Sequence, residues 1–350
     1  MGVEFKTQDK VAKFLNPFKD FALSETKCQI RQDPLTARTG RLAHFVGFKP
    51  PSADFSKIIE NSEQNCPFCP QNVFTMTPKF DPDQIPEGRL EKGESVLFPN
   101  LLPYDAHSAL AVLCKKHYRD LTDFTPDIFR DAFENCIAYL ERVLENKEQT
   151  YGLVTWNYMP AAGSSQVHPH FQVYGTQSPG NFLQNMLSAG KDYMQNNGRT
   201  YWEDYVNAET NTGQRLIAQN KNSIWLTDFV PVSALTDVVG IFPEKQTLFD
   251  LNGKELREAA QMINLAIDYL GQQGVYSLNM GWMPALKGEK HHWLQIRISP
   301  RLYLAPHVWC TETPSLVYQY QESFAIWSPE DTAKEINAFV KTAETKDLTR

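Results

Sequence analysis

The sequence repeats one order of predicted elements, and this repeat restricts the possible folds more than any other feature. A strand pair, an amphipathic helix and a second strand pair occupy residues 94–175, and the same order returns roughly 125 residues later. A chain of 350 residues is also too long for one ordinary core. We therefore predict an α+β protein built from two related halves, with chance alternation of strands and helices as the alternative. The closest matches between the halves are WNYMP (Trp156 to Pro160) with GWMP (Gly281 to Pro284), and YLERVLENKEQTYGL with YLGQQGVYSL.

The two predicted halves cover residues 1–200 and 201–350, with an acidic, turn-rich bridge around NAETNTGQ. In the first half, Thr125 is predicted to cap a helix that has Pro126 at its first position. The first residues of the chain, up to about position 60, mix short apolar runs with turn-rich pieces, which predicts strands and loops wrapping a larger body.

Composition excludes several classes of function. A formal net charge of -7 argues against broad nucleic-acid binding, which needs many cations to neutralise phosphates. The apolar runs are too short to span a bilayer, so no membrane partner is expected. MGVEFKTQDK has no apolar signal core, and Lys6 stands where a myristoylation signal has Ser or Thr, so we expect a cytoplasmic protein. The six cysteines are too sparse for a disulfide framework.

Two of these cysteines have the spacing of a metal site. In CPFC, Cys66 and Cys69 place two thiolates on one tight turn, as in tetrahedral zinc sites. His117 after one strand and His168 on a later strand are candidates for the other two ligands. A pair of packed or redox-active thiols is the alternative for an isolated CxxC.

The segment GSSQVHPHFQ, from Gly163 to Gln172, carries the candidate catalytic residues. If its second part is a strand, His168, His170 and Gln172 project to one face because side chains alternate. Three polar groups on one face make a poor core, which favours a functional site. Pro169 cannot donate to a strand ladder, so the sequence predicts a sheet edge or a distorted strand here.

An imidazole in this setting suits nucleophilic transfer of a phosphoryl group. Neutral imidazole does not repel a phosphate, and the phosphoramidate that it forms is labile enough to be passed on. For His170 to attack, its other ring nitrogen should donate to an acceptor that fixes the tautomer. Gly163, Ser164 and Ser165 can donate hydrogen bonds to the charge that develops on the phosphoryl oxygens, and Gln172 can add its amide.

Together these residues resemble the galactose-1-phosphate uridylyltransferase branch of the histidine triad superfamily, over most of the chain. The matching segments are RQDPLTAR (Arg31 to Arg38), CPFC, the NLLP run from Asn100, the strand ending at His117, and Asn157 through HPHFQ, with WEDYVNAETNTGQ, MGW and HHWLQ in the second half.

The resemblance implies two tandem histidine-triad-like halves, each an antiparallel sheet with helices, and a homodimer. It implies that Zn(2+) is bound by Cys66, Cys69, His117 and His168 and that His170 becomes uridylylated. Ser165 and Gln172 would contact the transferred phosphoryl group, and Asn100 and Asn157 would lie in the nucleotide pocket. The implied reaction is ping-pong transfer of a nucleoside monophosphate from a nucleotide sugar, such as UDP-glucose, to a sugar phosphate.

The sequence departs from the family at three places. Members with a second metal have histidines where this chain has Met283, Ile296 and Ile298, so a second metal is not expected. VGFKPP replaces an Arg-rich phosphate loop and leaves Lys49 as its cation. SLVYQYQESFAI keeps the position of the hexose-binding segment without its acidic and amide residues.

These departures leave several functions open. The acceptor can be inorganic phosphate, which would make the protein a phosphorylase of an ADP-sugar or a dinucleoside polyphosphate. With water as acceptor it would be a hydrolase. A non-catalytic, zinc-stabilised nucleotide-binding protein is the alternative from another class. The other histidines are expected to be surface or structural residues, namely His44, His107, His291, His292 and His307.

Overall fold

The structure is a computed structural model that describes residues 2–43, 45, 47–144, 149–305 and 308–347. His44 and His307 lie outside the described residues. The strands are β1 (Lys6–Asn16), β2 (Ala22–Gln32), β3 (Thr39–Leu42), β4 (Leu90–Lys92), β5 (Ser95–Pro99), β6 (His107–Val112), β7 (Tyr151–Tyr158), β8 (His170–Thr176), β9 (Leu216–Gln219), β10 (Ile224–Thr227), β11 (Val238–Phe242), β12 (Leu278–Met283), β13 (Leu294–Pro300), β14 (Tyr303–Ala305), β15 (Val308–Thr311) and β16 (Ser323–Ala325).

The helices are α1 (Ser56–Glu63), α2 (Val73–Met76), α3 (Pro126–Val143), α4 (Asn181–Asn197), α5 (Tyr201–Thr212), α6 (Gly253–Gln272), α7 (Ser315–Tyr318) and α8 (Pro329–Asp347), with short 3-10 turns at Pro17–Lys19, Leu121–Asp123, Pro160–Ala162 and Leu248–Asp250. Within the described residues, every helix is too short or too polar to cross a membrane.

A ten-stranded sheet forms the centre of the molecule, and its strand order shows the repeat. The order is β4-β5-β6-β8-β7-β12-β13-β11-β10-β9, so β5, β6, β8 and β7 are mirrored by β10, β11, β13 and β12. All neighbouring strands in this sheet are antiparallel. One helix separates the strand pairs in each half, α3 in the first and α6 in the second. The predicted α+β fold with two antiparallel halves is confirmed.

The halves meet along β7 and β12, which pair from Tyr158 with Leu278 to Thr155 with Gly281. The two halves therefore share one sheet and one continuous core, in which Phe133 of α3 contacts Trp282 of β12 at 5.5 Å between ring centroids. The division at residue 200 stays a prediction; α4 and α5 fill the chain between β8 and β9.

The two faces of the sheet are covered differently. Helices α3 and α6 pack on one face, here called the helix face, and bury aromatic and aliphatic side chains from both halves. Helix α3 begins where the sequence predicted, with Thr125 as N-cap and Pro126 first. Helix α6 begins with a capping box in which Asn252 and Glu255 satisfy each other's backbone amides. The other face, here called the open face, carries the candidate site.

Two local predictions hold only in part. The strand β8 begins at His170 and is an interior strand between β6 and β7, so the predicted sheet edge is wrong, whereas the bend at His168 fits the alternative of a distorted strand. Pro169 is tolerated because it precedes the first strand residue, where no ladder donor is needed, and its carbonyl accepts from Leu113.

The first 60 residues divide into two parts. The strands β1 and β2 form a long hairpin whose side chains are mostly exposed, so this part does not wrap a larger body. Further along, Phe48, Phe55 and Ile58 pack against the main core, as predicted for strands and loops around a larger body.

Candidate active site and metal cluster

The four predicted zinc ligands lie together. The ligand atoms of Cys66, Cys69, His117 and His168 all lie within 4.8 Å of one another, and the four residues are buried. The CPFC turn packs on the open face of the first half, where Phe68 and Cys69 contact apolar side chains of β5 and β6. Over the described residues, this is the one group of three or more such side chains that could hold a metal ion.

The geometry of the cluster fits a tetrahedral zinc ion. With Zn–S near 2.3 Å and Zn–N near 2.05 Å, tetrahedral angles place sulfur and nitrogen about 3.6 Å apart. The Sγ of Cys69 is 3.5 Å from Nδ1 of His117 and 3.6 Å from Nδ1 of His168, and the Sγ of Cys66 is 3.6 Å from the same nitrogen of His168. These distances leave room for one zinc ion at the centre.

Outer contacts turn both histidines toward the cluster. Nε2 of His168 lies 2.7 Å from the carbonyl oxygen of Cys114, which only accepts, so this nitrogen carries the proton and Nδ1 is free to bind a metal. Nε2 of His117 lies 3.0 Å from the Ser62 hydroxyl. Burial lowers the pKa of His168 to about 4, which keeps it neutral. Burial and the neighbouring Cys66 raise the pKa of Cys69 to about 12, as expected for adjacent thiols whose charge is not balanced by a cation.

His170 stands at the start of β8 in the tautomer that nucleophilic attack needs. Its Nδ1 lies 2.8 Å from the carbonyl oxygen of His168; because a carbonyl cannot donate, Nδ1 carries the proton and Nε2 has a free lone pair. Burial lowers the pKa of His170, so the ring is neutral near pH 7. The ring packs edge-on against Phe68 at 5.1 Å. The backbone carbonyl of a metal-ligand candidate thus orients the candidate nucleophile.

Gln172 lies one step along the same face, and a partner orients its amide. Its Oε1 is 2.6 Å from the hydroxyl of Tyr174, which donates to it. That contact directs the Nε2 amide away from Tyr174 and leaves it available to a ligand. In the sheet register Gln172 pairs with Thr155 of β7 and with Leu110 of β6.

Asn157 lies across the sheet from His170. Trp156 pairs with Phe171 at the end of the β7–β8 register, and both side chains lie in the core of the helix face, so the next residues, Asn157 and His170, are on the open face. Its Oδ1 accepts a 2.7 Å hydrogen bond from Nδ2 of Asn279, which belongs to β12 of the second half. The predicted nucleotide-pocket residue therefore stands on the same face as the candidate nucleophile.

The Gly163 to Ser165 segment forms the turn between β7 and the bend before β8. Gly163 has φ +81°, a left-handed conformation that glycine adopts readily and that ends the Pro160–Ala162 turn. The Ser164 hydroxyl donates to the carbonyl of Gln166 at 2.6 Å, while Ser165 is exposed. Ser165 is thus accessible to a ligand, and Ser164 stiffens the turn.

The structure brings Asn100 to the open face and places Lys49 elsewhere. The backbone amide of Asn100 donates to the Ser108 carbonyl at 3.0 Å, and Ser108 pairs with Tyr174. Lys49 lines a cavity of about 290 Å³ with Tyr269 and Trp327. None of the residues that line this cavity belongs to β8, which carries His170, or to the neighbouring strands β6 and β7. Lys49 is therefore not brought together with the other predicted residues.

The strand register identifies the second-half counterparts of the candidate site. Trp156 pairs with Phe171 and the repeated Trp282 pairs with Ile296, so Ile296 corresponds to Phe171. Ile296 and Ile298 point to the helix face and are fully buried in the core. The two isoleucines, which stand where family members with a second metal have histidines, therefore lie one position away from the counterparts of His170 and Gln172, and a shift of one residue reverses the face.

The counterparts of His170 and Gln172 are Gln295 and Arg297. These two residues lie on the open face and line a small cavity of about 30 Å³ beneath α4 and α5. Met283, the third substituted position, packs in a cluster with Leu153 of β7 and with Leu183 and Leu187 of α4. The second half thus has a glutamine and an arginine where the first half has its candidate nucleophile and its amide.

Sequence reasoning missed four contributors to the site: the Cys114 carbonyl, the Ser62 hydroxyl, Tyr174 and Asn279. Tyr174 could have been found, since it follows Gln172 by two residues and so shares its strand face. The other three contact the site only through pairing between distant segments, which leaves no local signal.

Comparison with known sequences finds a relative that covers almost the whole chain. No family model matches the chain. A protein of Archaeoglobus fulgidus described as uncharacterized is 30% identical over 335 residues, covering 95% of this chain and 98% of that protein.

Three solved structures share the fold at low sequence identity. A GalT-like protein from Arabidopsis thaliana matches with a TM-score of 0.67 and 16% identity, over 88% of this chain and 98% of its own. An ADP-glucose phosphorylase from the same plant, solved with bound ADP-glucose, matches with a TM-score of 0.66 and 15% identity, over 89% and 98%. A uridylyltransferase matches with a TM-score of 0.65 and 19% identity, over 90% and 99%. The chain belongs to the family of the Archaeoglobus fulgidus protein, and its fold is that of the GalT-like protein, the ADP-glucose phosphorylase and the uridylyltransferase.

Proposed function

We propose that the protein is a nucleotidyltransferase that carries a nucleoside monophosphate on His170. The observation that carries the proposal is the tautomer of His170: Nδ1 donates to the His168 carbonyl at 2.8 Å, which leaves a neutral Nε2 for attack. Gln172 and Asn157 stand beside it on the same face with their amide oxygens already occupied, so each offers its amide donor to an anionic ligand.

The chemical step is an in-line displacement on the α-phosphorus of a nucleotide sugar. A bond forms between Nε2 of His170 and phosphorus, and the bond to the bridging oxygen breaks. The sugar phosphate leaves with that electron pair, while Nδ1 keeps its proton on the His168 carbonyl. In the second step an oxygen of a phosphate acceptor attacks the same phosphorus, the N–P bond breaks, and neutral His170 is restored.

The similar proteins support a nucleotide sugar as donor. One of them is named as an ADP-glucose phosphorylase and was solved with ADP-glucose, and another is named as a uridylyltransferase. We propose a sugar phosphate as acceptor in the main case. Inorganic phosphate is the second candidate, favoured by the same ADP-glucose phosphorylase match.

The metal in this proposal is zinc, held by Cys66, Cys69, His117 and His168. When bound, it supplies a structural link rather than a reacting group, because all four donors are protein side chains. Zinc would fix His168, whose carbonyl in turn holds the His170 proton.

The assembly in this proposal is a cytoplasmic homodimer joined by the β1–β2 hairpin. At the tip of this hairpin Phe18 is 96%, Phe21 64% and Leu23 66% exposed, an apolar surface that a lone chain would leave in water. Residues 1–32 contain six Lys and Arg against four Asp and Glu, whereas the whole chain has a net charge of -7, so the hairpin complements the body of a second copy. Light scattering should give twice 40.0 kDa, and Phe18→Ser with Phe21→Ser should give one chain mass.

Intact-protein mass measurement tests the transfer. Zinc-loaded protein is mixed separately with UDP-glucose, ADP-glucose and diadenosine tetraphosphate. We expect a nucleoside-monophosphate adduct from at least one donor, its absence in His170→Ala, and its retention in Gln295→Ala, the counterpart in the second half. Adding glucose 1-phosphate or inorganic phosphate to the isolated adduct identifies the acceptor, and decay in buffer alone identifies a hydrolase. If no donor labels the wild-type protein, the non-catalytic nucleotide-binding alternative replaces this proposal.

A further inference from the structure

Asn279 links the second half of the chain to the candidate site of the first half. It lies on β12, where the two halves pair, and its side chain is half-buried on the open face. Its Nδ2 donates to Oδ1 of Asn157 at 2.7 Å and to the carbonyl oxygen of Ala162 at 2.9 Å. Asn279 thus contacts the side chain of a candidate-site residue on β7 and a carbonyl of the turn that follows β7.

Hydrogen-bond accounting settles which way both amides point. The Ala162 carbonyl can only accept, so the Asn279 atom beside it must be the amide nitrogen. That nitrogen has two hydrogens, and the second is directed at Asn157, whose facing atom must then be the oxygen. Asn157 therefore turns its own Nδ2 away from Asn279, and within the described part of the chain no hydrogen bond occupies that nitrogen.

The sheet register places the free amide of Asn157 beside the candidate nucleophile. Asn279 pairs with Asn157, and the last pair of β7 with β8 is Trp156 with Phe171. Directly opposite residues in an antiparallel sheet have Cβ atoms about 4.5–5.5 Å apart, as Asn279 and Asn157 do in this register. Asn157 and His170 are the next residues beyond the Trp156–Phe171 pair, and because those two aromatic side chains lie in the core of the helix face, Asn157 and His170 are neighbours on the open face.

The second hydrogen bond of Asn279 restrains the turn that leads to the candidate phosphoryl donors. Ala162 lies in the Pro160–Ala162 turn, which is entered through Met159 with φ +67° and left through Gly163 with φ +81°. A left-handed conformation costs a residue with a side chain free energy, so this turn depends on outside contacts to stay in place. The exposed Ser165 follows directly after this turn.

We infer that Asn279 is a positioning residue of the nucleotidyl-transfer site: it orients Asn157 so that the Asn157 amide donates to the bound nucleotide next to His170. This inference rests on the proposed function. It adds that the second half, which has Gln295 in the position of His170, contributes a positioning residue to the candidate site of the first half. Asn279 acts through Asn157 and the Ala162 carbonyl, without touching the reacting atoms.

The test is a double-mutant cycle with a matched control. Asn157→Leu removes the amide donor, and Asn279→Leu and Asn279→Asp remove the group that orients it. Ser277→Ala is the control. The Ser277 hydroxyl, just before β12, donates to the carbonyls of Tyr158 at 2.7 Å and Met159 at 3.4 Å, so this variant removes hydrogen bonds between the same parts of the two halves without touching the Asn157 side chain. The readouts are the single-turnover rate of adduct formation, the affinity for AMP and UMP, and the thermal midpoint.

We expect Asn157→Leu to slow adduct formation about 100-fold and Asn279→Leu about 10-fold. The double variant should be no slower than Asn157→Leu alone, because Asn279 acts through Asn157. Asn279→Asp should be at least as slow as Asn279→Leu, since a carboxylate repels both acceptors. Ser277→Ala should lower the thermal midpoint by about as much as Asn279→Leu and leave the rate within about 2-fold.

Two results would overturn the inference. Additive effects in the double variant would show that Asn279 does not act through Asn157, and an equal loss of rate in Ser277→Ala would reduce Asn279 to a structural residue. If the wild-type protein forms no adduct, the proposed transfer fails separately, and nucleotide affinity decides the inference: Asn279→Leu must weaken AMP or UMP binding while Ser277→Ala does not, and equal affinities refute it.

Discussion

The open faces of the two halves share one strand order and differ in what covers them. In the first half, the CPFC turn packs beside His170 and leaves Gln172 and Asn157 half-buried. In the second half, α5 and part of α4 pack over β10 and β11, with Trp202 and Tyr205 buried against the strands. The open face thus carries the candidate site in the first half and is covered by helices in the second half.

Charge is also handled differently on the two faces. In the first half, the neutral His170 and the amides of Gln172 and Asn157 lie on the open face. In the second half, Arg297 lies between two buried carboxylates. Its guanidinium is 2.5 Å from Asp228 and 2.7 Å from Asp237. Burial by itself would lower the pKa of Arg297, but the two carboxylates raise it well above its ordinary value. In the second half the charged side chains therefore pair with each other, whereas in the first half the amides of Gln172 and Asn157 have hydrogen bonds to their oxygens alone among the described contacts.

The largest expected effect on stability follows from removal of a zinc-ligand candidate in the first half. Cys69→Ser should abolish stoichiometric zinc and lower the free energy of unfolding by on the order of 5 kcal/mol, because the ion joins three separate segments. Metal analysis and chelator-dependent thermal unfolding measure this. Cys136→Ala is the control, since Cys136 is a buried thiol of α3 outside the cluster. Full zinc content in Cys69→Ser would refute the ligand set.

The next effect is confined to the second half. Arg297→Leu leaves Asp237 buried without its cation and Asp228 with only the more distant Arg38, at 3.9 Å. We expect this to cost about 3–5 kcal/mol of unfolding free energy in urea titrations. Folded protein at low temperature should still form the His170 adduct, because Arg297 lies outside the candidate site. Arg142→Leu, which breaks an exposed pair with Glu87, should cost far less, because solvent screens that pair. Loss of the adduct in folded Arg297→Leu would show that the two faces are coupled.

The smallest effect is a pH dependence from the second half. His292 is fully buried, donates from Nε2 to the Met283 carbonyl at 3.0 Å and packs against Trp202; burial lowers its pKa to about 4. Because this value lies below the unfolded pKa of about 6.5, folding favours the neutral ring. Its stabilising contribution is complete above pH 6.5 and is lost as the pH falls toward 4, by at most about 1.4 kcal/mol per pH unit.

His292→Gln is the matched variant for this pH dependence. It keeps an amide donor for the Met283 carbonyl and cannot titrate, so the difference in pH slope from the wild-type protein isolates the ring. Urea titrations between pH 7 and pH 4 measure the slope. Equal slopes in the two proteins would mean that His292 is not kept neutral by burial.

Much of the site was predictable because its signals are local. The CxxC spacing fits two metal ligands on one turn, and the alternation of a strand sets His170 and Gln172 on one face. The start of α3 at Pro126 followed from its cap. The repeat of element order gave the α+β fold with two halves, which the strand order confirms.

Tertiary structure decided what local patterns leave open. Which residues of β13 lie on the open face depends on its register with β12: Gln295 and Arg297 lie there, whereas Ile296 and Ile298 lie in the core. Lys49 was separated from the site, and Asn279 was added to it, by contacts between segments far apart in the chain. The sequence by itself determined the chemistry of the donors and their order along the chain. Only the packing of distant segments decided which half of the open face is covered, because α4 and α5 bury their apolar side chains against β10 and β11, strands that follow them in the chain and belong to the second half.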